Sequence, residues 1–332
     1  MSEKIFVIGS NSFSGASFVD GVLKQGCEVI GVGRSRQPNP LFLPYLWNNK
    51  KNLEQFKFFQ LDLNQHTSEI MKLINDFKPD YVVNFAAQSM TAESWLFPEH
   101  WMMTNVVSTV KLYDQLRKCE FLKKYVHIST PELYGSCQSL IKEHTNYQPN
   151  TPYAVSRAAC DMNLMAFFKT YNFPVVFTRA ANVYGPGQQL YRIIPRTILY
   201  FLTNKKLELH GGGKSVRSFV HIRDVVEGTL LVARKAPPGE IYHFSTPRNI
   251  SILYLVQMIA EKLGVSFADH VEVAQEQLGK DSAYLLDSAK AQETLGWQGK
   301  ISLEEGVTET IEWIKSNLNE IQKQPLSYIH KP

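Results

Sequence analysis

The chain has 332 residues, 44% of them hydrophobic and 20% charged, with 35 Lys and Arg against 31 Asp and Glu. A length of this order carries about two lobes around a sizeable core and excludes a small disulfide-stapled scaffold. The formal net charge of +4 is spread along the chain without Lys/Arg runs, which speaks against a nucleic-acid surface and for a small anionic ligand. Cys27, Cys119, Cys137 and Cys160 lie far apart, with neither CxxC nor Cys/His metal spacing, so no metal site and no disulfide is expected and a reduced, cytoplasmic setting is. The opening MSEKIFVIGS lacks the charged-then-apolar layout of a signal peptide. No apolar stretch approaches the roughly 18 to 20 uncharged residues of a membrane span, so a soluble protein without a membrane partner is expected.

Short apolar runs alternate with segments of helical period through the first half, the pattern of parallel βαβ units. Strands are predicted at Ile5 to Ile8, Glu28 to Val32, Phe56 to Gln60, Tyr81 to Phe85, Lys124 to Ser129 and Val175 to Arg179. Phe18, Val19, Val22 and Leu23 recur at helical spacing between the first two, and Gly26 follows where a helix would stop. Thr151-Pro152 supplies an N-cap and a first-turn proline for a long helix reaching Tyr171. Beyond about residue 180 the texture turns to Gly/Pro-rich turns such as GPGQQ and GGGK. The expected architecture is an α/β, Rossmann-type doubly wound parallel sheet with a smaller C-terminal substrate-binding lobe. Residues 1–180 form the dinucleotide-binding domain, with a return segment near 220–246, and 181–332 mainly the substrate lobe. The polar, proline-containing stretch from about Asn319 is expected to be loosely ordered or to pack late on the surface.

In KIFVIGSNSFSGASF, Gly9 and Gly15 stand six residues apart between a strand and a helix. Gly9 permits the tight turn, the amides of Ser12, Phe13 and Ser14 face a pyrophosphate at the helix N-terminus, and Gly15 lets the helix pack closely. Ser12 replaces the middle glycine of the usual pattern, and its hydroxyl is a candidate phosphate contact. The second strand ends in GVGRSR without a carboxylate. Arg34 and Arg36 therefore favour a ribose 2′-phosphate, and so NADP, with NAD as the alternative. Asp62 and Leu63 after the third strand are candidates for the adenine edge; in NFAAQS the small Ala86 and Ala87 let a backbone pass close to the cofactor, and Gln88 beside them is a further cofactor candidate.

The fifth strand runs into HISTPELYG, and TPYAVSRAACD follows. Tyr153 and Arg157 are four apart and share a helix face. A tyrosine beside a fixed cation has its phenolate stabilised, which suits it to take a proton from a sugar hydroxyl. Thr130 is placed to hydrogen-bond that same hydroxyl. His127, inside a strand, reads as a satisfied core histidine, and the scattered tryptophans as packing residues.

Taken together, GSNSFSG, NFAAQS, Asn105 in MTNVVST, STPELYG, TPYAVSR, TRAANVYGPGQ, GGGKSVRSFVHIRDVVEG and LLDSAKAQETLGW resemble the extended short-chain dehydrogenase/reductase family of nucleotide-sugar enzymes, most of all its 4,6-dehydratases for dTDP-glucose and GDP-mannose. The resemblance implies that Thr130, Tyr153 and the cation at Arg157 act on the sugar C4 hydroxyl and that Glu132 removes the C5 proton, after which water leaves from C6. It implies substrate contacts for Gln88, Asn182, Arg192 and Arg217, the two arginines being placed in loops, with Asp224 and Arg248 softer candidates and Met90, Glu93 and Trp95 near the sugar. It also implies a homodimer through helices near residues 100–118 and 152–170. Two departures stand out: Pro131 where the dTDP-glucose enzymes carry Asp, and Arg157 where lysine is usual. A 4-epimerase, a UDP-glucuronate decarboxylase and a non-catalytic dinucleotide-binding protein are the alternatives.

Overall fold

The computed structural model describes residues 2–47, 50–137, 139–275 and 285–332. Its centre is a seven-stranded, fully parallel sheet of Lys4–Ile8, Glu28–Gly33, Phe56–Gln60, Tyr81–Asn84, Lys124–Ile128, Val175–Ala180 and Ile241–Phe244. Numbered along the chain, the strands lie in the order 3-2-1-4-5-6-7. The predicted strands are all present within a residue at each end, and the return segment contributes the seventh, Ile241 pairing with Phe177. The reversal of order between the first and fourth strands opens a crevice at their carboxyl ends, where doubly wound sheets bind ligands.

Alternation along the first strand explains the two-faced burial. Ile5 and Val7 enter one core with Ala16, Phe18 and Val22 of helix Phe13–Leu23. Phe6 and Ile8 enter the opposite core with Ile70 and Ile74 of helix Thr67–Phe77 and Leu164 of helix Pro152–Tyr171. Both faces are covered by helices, so the central strands are largely apolar, whereas the edge strand Phe56–Gln60 exposes Lys57 and Gln60. The long helix begins where the sequence places it: the Thr151 side chain accepts from Ala154 N, and Asn172 ends it in the left-handed region.

A third core gathers Ile194, Ile198, Leu255, Val307, Ile311 and Ile314 beside a three-stranded sheet of Asn182–Tyr184, Val216–His221 and Asn249–Ser251. The segment after Asn319 is ordered: helix Leu318–Ile321 buries Ile321, and residues 324–331 turn back onto the crevice of the large sheet. Among the described residues no helix is long and apolar enough to cross a membrane.

Candidate active site

The phosphate loop takes the conformation its glycines allow. Gly9 has φ +80, and a Cβ there would lie 2.7 Å from Ala86 N; a Cβ on Gly15 would lie 2.2 Å from Gly9 O. Both positions admit only glycine without a backbone shift. Ser12 departs from expectation. Its hydroxyl donates to Gly9 O (2.8 Å) and accepts from Gly15 N (3.1 Å), capping the helix. The Ser12 hydroxyl proton is thus engaged by the loop itself and not held out for a phosphate.

Above this loop lies a cavity of about 570 Å³, lined by Gly9, Ser12, Arg34, Arg36, Asp62, Leu63 and Ala86 among the expected residues. Phe13, Ser14, Gly15 and Gln88 are not on its wall: Phe13 and Gly15 are buried in the helix–sheet packing, and Gln88 lies at one end under a hydrogen-bonded lid of backbone. Asp62 accepts from Asn64 N (2.9 Å), which turns the chain after the third strand. Asn11, Thr104, Tyr191 and, from the C-terminal segment, Gln324, Pro325, Ser327, Tyr328, Ile329 and Lys331 also line the cavity and were not foreseen. The last of these follow a helix at the far end of the sequence, where no periodicity marks a contact.

Gln88 is fixed by Asn105, whose side chain accepts from Gln88 N (2.8 Å) and donates to Gln88 O (3.0 Å) and to Ser156 Oγ (2.9 Å). Asn105 is fully buried, in a π-helical turn over Met103–Ser108. Such turns often accompany functional sites.

The structure brings Thr130, Glu132, Tyr153, Arg157 and Arg192 together. Tyr153, 7% exposed, is hydrogen-bonded to Thr130 and feels the charges of Glu132, Arg157 and Arg192. Thr130 caps the short helix Pro131–Tyr134 by accepting from Glu132 N (3.3 Å). Pro131 occupies the first position of that helix, where a missing N–H has no cost. Thr91 Oγ1 donates to Glu132 Oε2 (3.1 Å).

The electrostatics correct one expectation. Burial first, and the Glu132 carboxylate second, push the Tyr153 hydroxyl above its ordinary value, outweighing Arg157, the Thr130 hydrogen bond and Arg192, which pull the other way. Arg157 does pull the tyrosine down, as the Tyr-xxx-Arg spacing suggested, but by less than burial and Glu132 push it up; its guanidinium turns to the fifth strand. It is 2% exposed, donates to the Ile128 carbonyl, and lies 3.2 Å from His127 Nε2.

Beneath it runs a buried charge network. Asp161 Oδ2 accepts from Arg179 Nη2 (2.8 Å) and from Ser129 Oγ (2.7 Å), and His127 stands 3.5 Å from Asp161 Oδ1. Burial and the two arginines hold His127 well below its ordinary value, so it is a neutral core histidine, as read from its place in a strand.

On the second lobe, Asn182 and Arg217 lie on neighbouring strands, Phe219 pairing with Asn182. Arg217 is therefore not in a loop; it is a buried strand residue whose Nη1 donates to Val216 O (2.7 Å). Neither Asn182 nor Arg217 lines the cavity. Arg192 immediately precedes helix Ile193–Leu202 with its guanidinium 5.5 Å from the Tyr191 ring centroid. Asp224 and Arg248 resolve as structural: Asp224 accepts from the amides of Lys300 and Ile301 (3.1 Å each), and Arg248 pairs with Glu304 and Tyr254 at the surface. Trp101 and Trp297 are core residues, whereas Trp95 is 54% exposed.

The family described as GDP-mannose 4,6 dehydratase matches the chain over residues 6–310. A dTDP-D-glucose 4,6-dehydratase from Bos taurus is 34% identical over 275 residues, 81% of this chain and 76% of that protein. The crystal structure of DesIV, a dTDP-glucose 4,6-dehydratase from Streptomyces venezuelae with NAD and TYD bound, is 28% identical with a TM-score of 0.88, covering 96% of this chain and 98% of that one. A UDP-glucose 4-epimerase from Thermotoga maritima with UDP-glucose is 27% identical with a TM-score of 0.85, covering 95% and 99%.

Proposed function

Because the chain belongs to the GDP-mannose 4,6-dehydratase family, we infer that it is a 4,6-dehydratase of a nucleoside-diphosphate hexose, GDP- or dTDP-linked, that yields the 4-keto-6-deoxy sugar. The observation that carries this reading is the juxtaposition of the Glu132 carboxylate with Tyr153 and Thr130. An epimerase needs only the tyrosine, the hydroxyl and a cation; a carboxylate beside them is what an elimination adds.

The cofactor is proposed to be NAD. The NADP preference drawn from Arg34 and Arg36 finds no support, since the solved relative carries NAD and Arg34 donates to the backbone carbonyls of Lys331 (2.9 Å) and Pro332 (3.0 Å). The groove fits a dinucleotide: the close approach of Gly9 to Ala86, the start of helix Phe13–Leu23 and the cavity above them form one continuous cradle. When bound, NAD supplies the acceptor and donor of hydride.

Tyr153 takes the proton of the C4 hydroxyl, with Thr130 hydrogen-bonding the same oxygen and Arg157 holding positive charge below. The C4 ketone makes the neighbouring C5 proton acidic, Glu132 removes it and passes it to the departing C6 hydroxyl, which leaves as water; hydride returned at C6 and a proton at C5 complete the 4-keto-6-deoxy sugar. Asn182, Arg192 and Arg217 are proposed for the diphosphate and nucleoside, arginine forks suiting paired phosphate oxygens. A homodimer is proposed as well, supported by exposed apolar side chains on the two helical segments concerned: Met103 at 45% and Val107 at 39% on one, Val155 at 39% and Met162 at 61% on the other. Its test is the solution mass.

Incubation with GDP-, dTDP-, CDP- and UDP-hexoses plus NAD, followed by mass spectrometry, tests the function: one nucleotide sugar is expected to lose one water without net reduction of cofactor. Glu132→Gln is expected to lower that rate by about 10²- to 10⁴-fold and to abolish solvent exchange at C5. Removing its charge also lets the Tyr153 hydroxyl fall, so the residual activity rises to its plateau at lower pH. An unchanged mass with inverted C4, or full activity of the variant, would refute the assignment.

A further inference from the structure

Residues 324–332 do not lie on an indifferent surface. Lys331 O accepts from Arg34 Nη1 (2.9 Å), at the end of the second strand, and from Gln88 Nε2 (2.6 Å), after the end of the fourth. The first strand lies between those two in the sheet, so one carbonyl oxygen bridges the crevice directly over the phosphate loop. Lys331 Nζ donates to Ser35 Oγ (2.8 Å), and Tyr328 OH is 3.4 Å from Gln88 Oε1. The His330 ring runs nearly parallel to Phe97 and Trp101, with centroids 4.9 and 5.3 Å away, and lies edge to edge with His100, centroids 5.1 Å apart. Its Nε2 also lies 2.8 Å from His100 Nδ1. Aromatic contacts, charge-assisted bonds at Arg34 and Ser35 and neutral bonds at Gln88 make this a seated segment.

The cavity shows what the segment encloses. Its inner wall is the phosphate loop and the end of the second strand; its outer wall is Pro325, Ser327, Tyr328, Ile329 and Lys331. Thr130, Glu132 and Tyr153 are not on its lining. The space over the phosphate loop therefore stops at the bridge between Lys331 and Gln88, short of the catalytic side chains. A dinucleotide lying on the loop with its reactive ring at Tyr153 has to pass that bridge.

We propose that residues 325–331 are a part of the dinucleotide site, forming its outer wall, and that Lys331 must release Gln88 and Arg34 for the cofactor to enter or leave. The proposal rests on the reading of the groove as a dinucleotide site. Its consequence is kinetic: the segment slows exchange in both directions, which retains a cofactor that is regenerated within each turnover.

The test compares the full chain with a variant lacking residues 327–332, which keeps the buried Ile321 and the packed Leu326. Association and dissociation of NADH are followed by its fluorescence in stopped flow. Both rate constants are expected to rise at least tenfold in the shortened protein. His330→Ser, which removes the stacked ring and leaves the chain intact, is expected to raise both about two- to fivefold, and gives the answer if the deletion fails to fold. Equal rates in all forms would overturn the proposal while leaving the dinucleotide site standing. Faster association with unchanged dissociation would also overturn it, making the segment an obstacle and not a wall. Absence of NADH binding by every form would overturn the reading of the groove and the proposal with it.

Discussion

Asp161→Asn separates charge from shape at the centre of the catalytic scaffold. Asp161 and Arg179 are both fully buried, joined by a 2.8 Å bond. Asparagine keeps an oxygen for the Ser129 hydroxyl but removes the countercharge of Arg179. The arginine retains Tyr134, Tyr147 and the His144 carbonyl as partners, all neutral, so a buried cation loses its only bonded anion among the described residues. Breaking a buried pair from one side costs about 3–5 kcal/mol. For a chain of 332 residues the unfolding entropy is about 0.7 kcal/mol/K, so the melting temperature should fall by about 4–7 °C. Differential scanning calorimetry at pH 7 measures this. Adding Arg179→Met should restore much of the loss, because replacing both charges with apolar bulk is often neutral or better. A single variant that melts within 1 °C of the parent, or a double variant no better than the single, would refute the account of this network as a charge-paired core.

Burial holds His243 at about 3 and His221 at about 4, against an ordinary value of 6.5; the folded state therefore keeps both neutral, and the unfolded chain binds more protons below pH 6.5. Stability is full above that pH and is lost as pH falls towards 4 and then 3, with a slope of up to about 1.4 kcal/mol per pH unit for each histidine. The melting temperature should fall steadily from pH 6.5 to 4.5, and His243→Gln should flatten that fall; a flat profile in the parent would contradict it. Gly9→Ala forces a Cβ to 2.7 Å from Ala86 N at φ +80. It should cost about 1–2 kcal/mol from backbone conformation alone and weaken NAD binding at least tenfold by titration; parental affinity would show that the loop does not carry the pyrophosphate.

What could be read in advance follows the range of the interactions. The six predicted strands and the helix from Pro152 announce themselves through local apolar runs, a cap and a proline, and local order survives folding unchanged. The strand Ile241–Phe244 is only four residues long and follows a Pro-Pro-Gly turn, so its place in the sheet depends on pairing with Val175–Ala180 and not on its own pattern. Tyr153, Thr130 and Glu132 were legible as a group because their motif spacing is local to two segments. The direction in which Arg157 points was not: it is set by the Ile128 carbonyl and His127, on another element. The same holds for Arg34, whose partner Lys331 lies 297 residues away. A polar, proline-containing stretch reads as loose by composition, and only the ring stack around His330 shows why it is held.

Asn105 welds Gln88 to the helix that carries Tyr153. The loop beyond the fourth strand and the base of the catalytic helix consequently move as one piece, while Asn182, Arg192 and Arg217 belong to elements anchored elsewhere. Under the proposed roles, substrate choice at Asn182 and Arg217 is separable from the bond-making chemistry, whereas Arg192, whose charge reaches Tyr153, touches both. Grafting the segments around Asn182 and Arg217 from a relative with a different nucleotide preference should exchange the donor accepted while leaving the rate-determining chemistry intact, whereas any change at Asn105 should disturb the chemistry for every donor alike.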